Sequence, residues 1–153
     1  MSHIIATFFY IGHLRPAPGS WGSLAALLTG AGLIYSMGLI GLGVGIFLAC
    51  LLGYWATAQE TADQYDHDPS EIVIDEVAGQ WIALLPLAIW PLPFDSAAVY
   101  YLFGFVAFRL FDITKPGLVG WADLLVGPLG VMLDDVIAGV MAAAAMALVM
   151  VLV

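Results

Sequence analysis

Two apolar runs, Leu39–Ala58 and Val131–Val153, constrain this chain more than any other feature. Each is about 20 residues or more, enough as a helix to cross a hydrocarbon core roughly 30 Å thick. Three shorter runs, Trp21–Tyr35, Val77–Trp90 and Ala97–Ile113, lie around them. At about 15–17 residues they reach roughly 22–25 Å as helix. Such segments span by thinning the bilayer locally, re-enter it, or pack as buried helices inside a bundle. The expected fold is therefore all-α: a single membrane-embedded domain over residues 1–153, an integral membrane helical bundle of four to five hydrophobic helices, some of them short or re-entrant. Composition points the same way. Hydrophobic residues make up 63% of the chain, mean hydropathy is +1.02, and only 10% of residues are charged, against about 25% for a soluble domain. Met1–Tyr10 lacks the basic n-region of a cleavable signal peptide, so insertion is expected to rely on the spans themselves. The single cysteine, Cys50, sits in an apolar run, which excludes a disulfide within the chain and a thiolate metal cluster and leaves it as a packing residue.

The few charges are not scattered. Five spans put all twelve acidic residues except Asp95 on one side, together with Arg15, Arg109 and Lys115, the three basic residues. The other side receives only Ser36–Gly38, Pro91–Ser96 and the C-terminus. Lys and Arg mark the cytoplasmic side, so the charged side is expected to face the cytoplasm, with interfacial Trp21, Trp55, Tyr35 and Trp90 at span ends. A net charge of −9 excludes nucleic-acid binding by phosphate neutralisation, and there is no polybasic skirt of the kind peripheral lipid binders carry. Glycines crowd the first two runs, and Gly41 and Gly45 have small-xxx-small spacing; close helix packing and the general enrichment of Gly in membrane helices both account for them.

One arrangement occurs twice. Ile72-Val-Ile-Asp75-Glu76-Val-Ala-Gly79 and Val131-Met-Leu-Asp134-Asp135-Val-Ile-Ala-Gly139 each open an apolar helix with a carboxylate pair. Acids at a helix N-terminus complement its dipole. Two such pairs entering a membrane at equal depth are costly unless a cation lies between them. Mg²⁺, which takes oxygen ligands from carboxylates, water and phosphate, is the natural occupant. Asp75, Glu76, Asp134 and Asp135 are thus metal candidates. Glu60 joins them, being the acid nearest an apolar run, one turn from Asp63. Asp66, Asp68 and Glu71 read as solvated loop acids, and His3, His13 and His67 have no metal-ligand spacing.

Two of the three cations fall within Phe108-Arg109-Leu-Phe-Asp112-Ile-Thr-Lys115-Pro116. On a helix Arg109 and Asp112 are neighbours, as are Asp112 and Lys115. Arg109 and Lys115 suit a grip on phosphate oxygens, one as a fork and one as a point charge, with Asp112 orienting them or binding metal. Neutralisation of the two cations by Asp112 is the plainer alternative. Arg15 precedes Pro16-Ala-Pro-Gly-Ser20-Trp-Gly-Ser23-Leu24, a turn feeding a helix N-terminus. Ser20 or Ser23 is placed there either to cap the helix or, with Arg15 and the free N–H groups, to bind an anion.

Taken in order, four segments resemble the phosphatidylglycerophosphatase A family: Pro16–Leu24, Asp68-Pro69 leading into Ile74–Gly79, Phe108–Pro116 and Gly130–Gly139. Ser20 and Ser23 stand where the family often has Thr, and the loop Trp121–Pro128 is less basic than the family pattern. The resemblance implies a phosphoric monoester hydrolase that converts phosphatidylglycerol phosphate to phosphatidylglycerol and inorganic phosphate. It also implies Mg²⁺ and a multi-pass position in a bacterial inner (cytoplasmic) membrane with the site at the cytoplasmic face. The partners expected are an anionic phospholipid substrate and membrane lipid, and no oligomeric state is specified. On this reading Asp75, Asp134, Arg109, Lys115 and Asp112 are catalytic. Arg15, Ser20, Ser23, Arg109 and Lys115 contact substrate, and Glu60, Asp75, Glu76, Asp134 and Asp135 surround the metal. Direct attack by water and a phospho-aspartate intermediate both remain open. The rival readings are a divalent-cation transporter or channel, a non-catalytic membrane subunit, and a phosphatase for another anionic lipid monoester.

Overall fold

The computed structural model describes residues 1–62 and 69–152. Among them every regular element is helical: α1 (Ser2–Ala6), a 3₁₀ turn (Ile11–His13), α2 (Pro18–Thr61), α3 (Ile74–Ala83), α4 (Leu85–Ile89), α5 (Phe94–Thr114), α6 (Leu118–Asp123) and α7 (Pro128–Leu152). Asp63, Asp66, His67 and Asp68 lie outside the described residues.

The first two apolar runs form one element folded on itself. α2 is interrupted at Gly38, whose φ of 60° and ψ of −149° belong to a region that only glycine enters freely. Glycines at nearly equal chain distance on either side of Gly38 meet the same partners. A Cβ built on Gly22 or Gly53 would crowd Val73 or Ile74 respectively, and one on Gly30 or Gly45 would crowd Trp81. The two arms of α2 therefore lie antiparallel, with α3 against both. The tight glycine contacts are these and not a Gly41–Gly45 pair: Gly41 faces Met37 of its own helix, and Gly32 and Gly43 face open space.

The run Val77–Trp90 divides into α3 and α4, with Pro86, which has no backbone N–H, in the first turn of α4. All of α3 but Glu76 is buried. Being enclosed by protein, it needs neither the length nor the outward apolar face of a lipid-exposed span. With α2 folded, the chain runs the length of the bundle five times: along each arm of α2, along α3 and α4, back along α5, and out along α7. Among the described residues, three helices are long and apolar enough to cross a membrane: Pro18–Thr61, Ser96–Thr114 and Pro128–Leu152. Their outer faces carry large exposed apolar side chains such as Leu28, Ile40, Phe47, Leu102 and Leu148, as expected of surfaces solvated by acyl chains.

α3 and α7 run parallel and meet backbone to backbone. A Cβ on Gly79 would sit 2.5 Å from the Asp135 carbonyl oxygen, and one on Gly139 would sit 2.3 Å from the Gly79 carbonyl oxygen. Lipid tails are as apolar as leucine, so association of membrane helices depends on such close packing. Each glycine lies four residues after a carboxylate, Asp75 in α3 and Asp135 in α7. The same contact that joins the helices therefore brings the two acidic pairs to one level.

Candidate active site

At the end of the bundle where α2, α3 and α7 begin and α5 ends, a cavity of about 290 Å³ is lined by residues of all four helices, with charged groups from α3, α7 and the end of α5. Its lining includes Asp75 and Glu76 of α3, Arg109 and Asp112 of α5, Lys115, and Asp134 and Asp135 of α7. Carboxylate oxygens of Asp75, Glu76 and Asp135 lie within 4.8 Å of one another. Asp75 and Asp135 are buried, and Glu76 Oε2 and Asp135 Oδ1 are buried without a hydrogen-bond partner. A buried carboxylate oxygen without a partner is costly, and the carboxylates of Asp75, Glu76 and Asp135 side by side form an oxygen cage suited to a hard divalent cation.

The cations flank this cage. Arg109 Nη1 donates to Asp112 Oδ2 at 2.5 Å and to Ser23 Oγ at 3.3 Å, and lies 3.8 Å from Glu76 Oε1. The Ser23 hydroxyl in turn donates to the Gly19 carbonyl at 2.8 Å. Ser23 thus fixes the guanidinium against the first turn of α2. Gly19 leaves room for the Glu76 carboxylate, since a Cβ at that position would lie 2.1 Å from Glu76 Oε1 and displace it. Lys115 closes α5 in a left-handed conformation, φ 46°, which carries its side chain off the α5 ridge. Lys115 Nζ donates to Asp134 Oδ2 at 2.7 Å and to Asp123 of α6. Burial lowers its proton affinity, but the Asp123 and Asp134 contacts outweigh that and hold the ammonium above its usual range.

Several expectations are corrected by this geometry. Lys115 does not pair with Asp112, because the helix ends before it and the i, i+3 relation stops applying. Neither Ser20 nor Ser23 caps α2: the helix starts earlier, at Pro18, a residue preset for a first turn. Ser23 contacts the site through Arg109, and Ser20 is not among the residues lining the cavity. Glu60 is drawn away from the carboxylate cage, since its Oε2 sits 2.9 Å from His3 Nδ1 while His3 Nε2 meets His13 Nε2 at 2.9 Å. His3 and His13, which have no metal-ligand spacing in the sequence, thus meet each other in the structure. Arg15 stays at the rim, where its Nη1 donates to Ser70 Oγ at 3.2 Å, and Ser70 lines the cavity.

Sequence reasoning missed Ser70, Asp123 and Gly19. Ser70 lies between Asp68-Pro69 and Ile74–Gly79 and Asp123 in the Trp121–Pro128 segment, but neither has a spacing that ties it to the other charged residues. Gly19 had a visible position in the Pro-Gly-Ser turn but no visible reason. Gln80 was also missed. It is fully buried one turn below Glu76 on the same face of α3, with both amide atoms unpartnered.

Residues 4–150 match the family model for phosphatidylglycerophosphatase A. A phosphatidylglycerophosphatase A of Haemophilus influenzae is 36% identical over 92% of this chain and 83% of its own length. One from Escherichia coli K12 is 34% identical over 92% of this chain and 78% of its own length. A Bacteroides thetaiotaomicron protein with the provisional name of phosphatidylinositol-3-phosphatase is 35% identical over 90% of this chain and 86% of its length. No solved structure matches this chain. With a family match over nearly its whole length and relatives above one-third identity, the chain belongs to the phosphatidylglycerophosphatase A family.

Proposed function

We propose that this membrane enzyme, a phosphoric monoester hydrolase, removes the terminal phosphate of phosphatidylglycerol phosphate with Mg²⁺ at the cytoplasmic face of a bacterial inner membrane. The observation that carries the reading is the convergence of three carboxylates within 4.8 Å, beside Arg109 and Lys115, in one cavity. A transport pathway needs polar groups along its length, whereas these sit at one end of the bundle.

Asp75, Glu76 and Asp135 would hold the metal. When bound, Mg²⁺ supplies positive charge and Lewis acidity at the phosphoryl oxygens. Arg109 and Lys115 bind the remaining phosphoryl oxygens and stabilise the charge that grows on them. Asp112 and Asp134 hold these two cations in place, so neither must be ordered as the reaction proceeds. A cavity carboxylate accepts the proton of the attacking water. The water oxygen forms a bond to phosphorus as the bond to the glycerol oxygen breaks, and that oxygen leaves as the hydroxyl of phosphatidylglycerol. Arg15 and Ser70, paired at the rim, contact the head group.

Phosphate release from phosphatidylglycerol phosphate by the purified protein, with Mg²⁺ and with EDTA, tests this. Release that requires metal and is lost in Asp75→Asn is expected. No release by folded protein under either condition sinks the proposal. The Bacteroides relative's name favours a second reading, another lipid monoester such as a phosphoinositide, and the same assay with that lipid separates the two.

A further inference from the structure

A second cluster of metal-ligating groups lies where the N-terminal segment meets the end of α2. His3 Nδ1 sits 2.9 Å from Glu60 Oε2, and His3 Nε2 sits 2.9 Å from His13 Nε2. None of these three residues lines the acidic cavity. As a carboxylate, Glu60 only accepts hydrogen bonds, so Nδ1 of His3 carries that ring's proton and donates it. The lone pair of His3 Nε2 is thereby turned toward His13. A carboxylate on the far ring nitrogen is also what holds a metal-bound histidine in its ligating tautomer.

The backbone is shaped to bring the second imidazole there. Phe8, Phe9 and Tyr10 adopt left-handed conformations in succession, with φ of 44°, 57° and 67°. Aromatic residues rarely enter that region, and strain of this kind collects at ligand clamps where the surroundings enforce it. Thr7 enforces it here. Its hydroxyl donates to the His3 carbonyl at 2.7 Å and accepts from the Tyr10 N–H at 3.1 Å, and its carbonyl accepts from the Gly12 N–H at 3.0 Å. The chain doubles back, and His13 on the 3₁₀ turn returns to His3. The Tyr10 ring lies 5.9 Å from both imidazoles, stacked on that of His13.

We propose that His3 Nε2 and His13 Nε2 bind one transition-metal ion of the Zn²⁺ class, with Glu60 orienting His3 and water completing the coordination. Imidazole suits Zn²⁺, Ni²⁺ and Cu²⁺, whereas carboxylates suit Mg²⁺ and Mn²⁺, so this site and the acidic cage select different ions. At metal–nitrogen distances of about 2.0–2.1 Å, nitrogens 2.9 Å apart subtend about 90° at the ion, and about 3.4 Å gives the tetrahedral angle. His13 is exposed, so its ring has room to pivot until both lone pairs meet at the ion. The proton on His13 Nε2 moves to Nδ1 through solvent, and both rings stay neutral. An ion there ties the N-terminal hook to α2. The same hook braces the rim of the acidic cavity. The Val73 N–H donates to the Ala6 carbonyl at 2.9 Å, Arg15 donates to Ser70, and a Cβ on Gly12 would lie 1.9 Å from the Glu71 carbonyl oxygen.

Zn²⁺ titration calorimetry of the protein without a polyhistidine tag, in detergent with excess Mg²⁺, tests this. One Zn²⁺ per chain is expected, with binding lost in His13→Gln, weakened about 10–100-fold in Glu60→Gln, and kept in Asp135→Asn. Zn²⁺ should raise the melting temperature of the unaltered protein and not that of His13→Gln. Binding that survives in His13→Gln, or that disappears in Asp135→Asn, overturns the proposal, as does the lack of saturable binding by folded protein. The unaltered protein gives a second reading. Zn²⁺ should protect His3 and His13 together from diethyl pyrocarbonate, read by mass spectrometry, and protection of fewer than both also overturns it.

Discussion

Arg109 meets three different groups at one nitrogen of its guanidinium, which leaves its buried Nε without a protein partner. Asp112, Ser23 and Glu76 approach the same Nη1. A lysine has one point of charge on a flexible stem and cannot reproduce that set while also meeting a phosphate. Arg109→Lys is therefore expected to lower kcat by roughly 10²-fold, the scale of losing one preorganised donor to a developing oxyanion, with helical content by circular dichroism unchanged. Retention of most activity would show that only the charge matters. The carboxylates divide in the same way. Asp135 places a buried, unpartnered oxygen in the cage, and Glu60 is engaged by His3. Asp135→Asn should weaken Mn²⁺ binding, read by electron paramagnetic resonance, by roughly 100-fold or more, exceeding the loss typical of groups that merely support a metal ligand. Glu60→Gln should leave that binding nearly unchanged, and equal losses in the two variants would return Glu60 to the metal site.

For the elements, the deciding contacts are between backbones. The α3–α7 crossing at Gly79 and Gly139 leaves no room for a methyl group. Gly139→Ala should lower thermal stability in detergent by about 1–3 kcal/mol through overpacking. Because the same crossing sets the level of Asp75 and Asp135, it should also weaken divalent-ion binding. Gly43→Ala is the matched control: nothing lies within 4 Å, and alanine gains up to about 1 kcal/mol of helix propensity. If both substitutions behave alike, the crossing is not what positions the acids. Gly38→Ala tests the fold in α2, because its φ of 60° with ψ of −149° costs a non-glycine residue about 1–3 kcal/mol. It should lower the melting temperature without any contact being removed.

Over the whole molecule, five passes place the start of α2 and the end of α5 on the side of the acidic cavity and the bend at Gly38 on the other. The proposed orientation puts Ser70 in the cytoplasm and Tyr35, which is 95% exposed, at the outer surface. In a Cys50→Ala background, Ser70→Cys should react with an impermeant maleimide only in inverted vesicles, and Tyr35→Cys only in intact cells or spheroplasts. The reverse pattern would place the active site outside. With only three Lys and Arg residues to set topology, this measurement decides the orientation directly.

Much of this was legible in the chain before folding. A run such as Leu39–Ala58 is too long and too uniformly apolar for the alternating strands of a barrel and satisfies its backbone in hydrocarbon as a helix, so apolar length and continuity specified an all-helical membrane bundle. The cost of charge in that medium made each intramembrane carboxylate conspicuous, which is why Asp75, Glu76, Asp134 and Asp135 stood out. Spacing along a helix also placed Arg109 beside Asp112 correctly, since both lie within one regular element. Contacts between elements were another matter. That Lys115 pairs with Asp123 and Asp134, that Glu60 turns to His3, and that Ser70 reaches the cavity depend on left-handed turns, loop paths and glycine crossings. These interactions join residues far apart in sequence, so no local periodicity encodes them, and only the packed bundle decides which acid faces which cation.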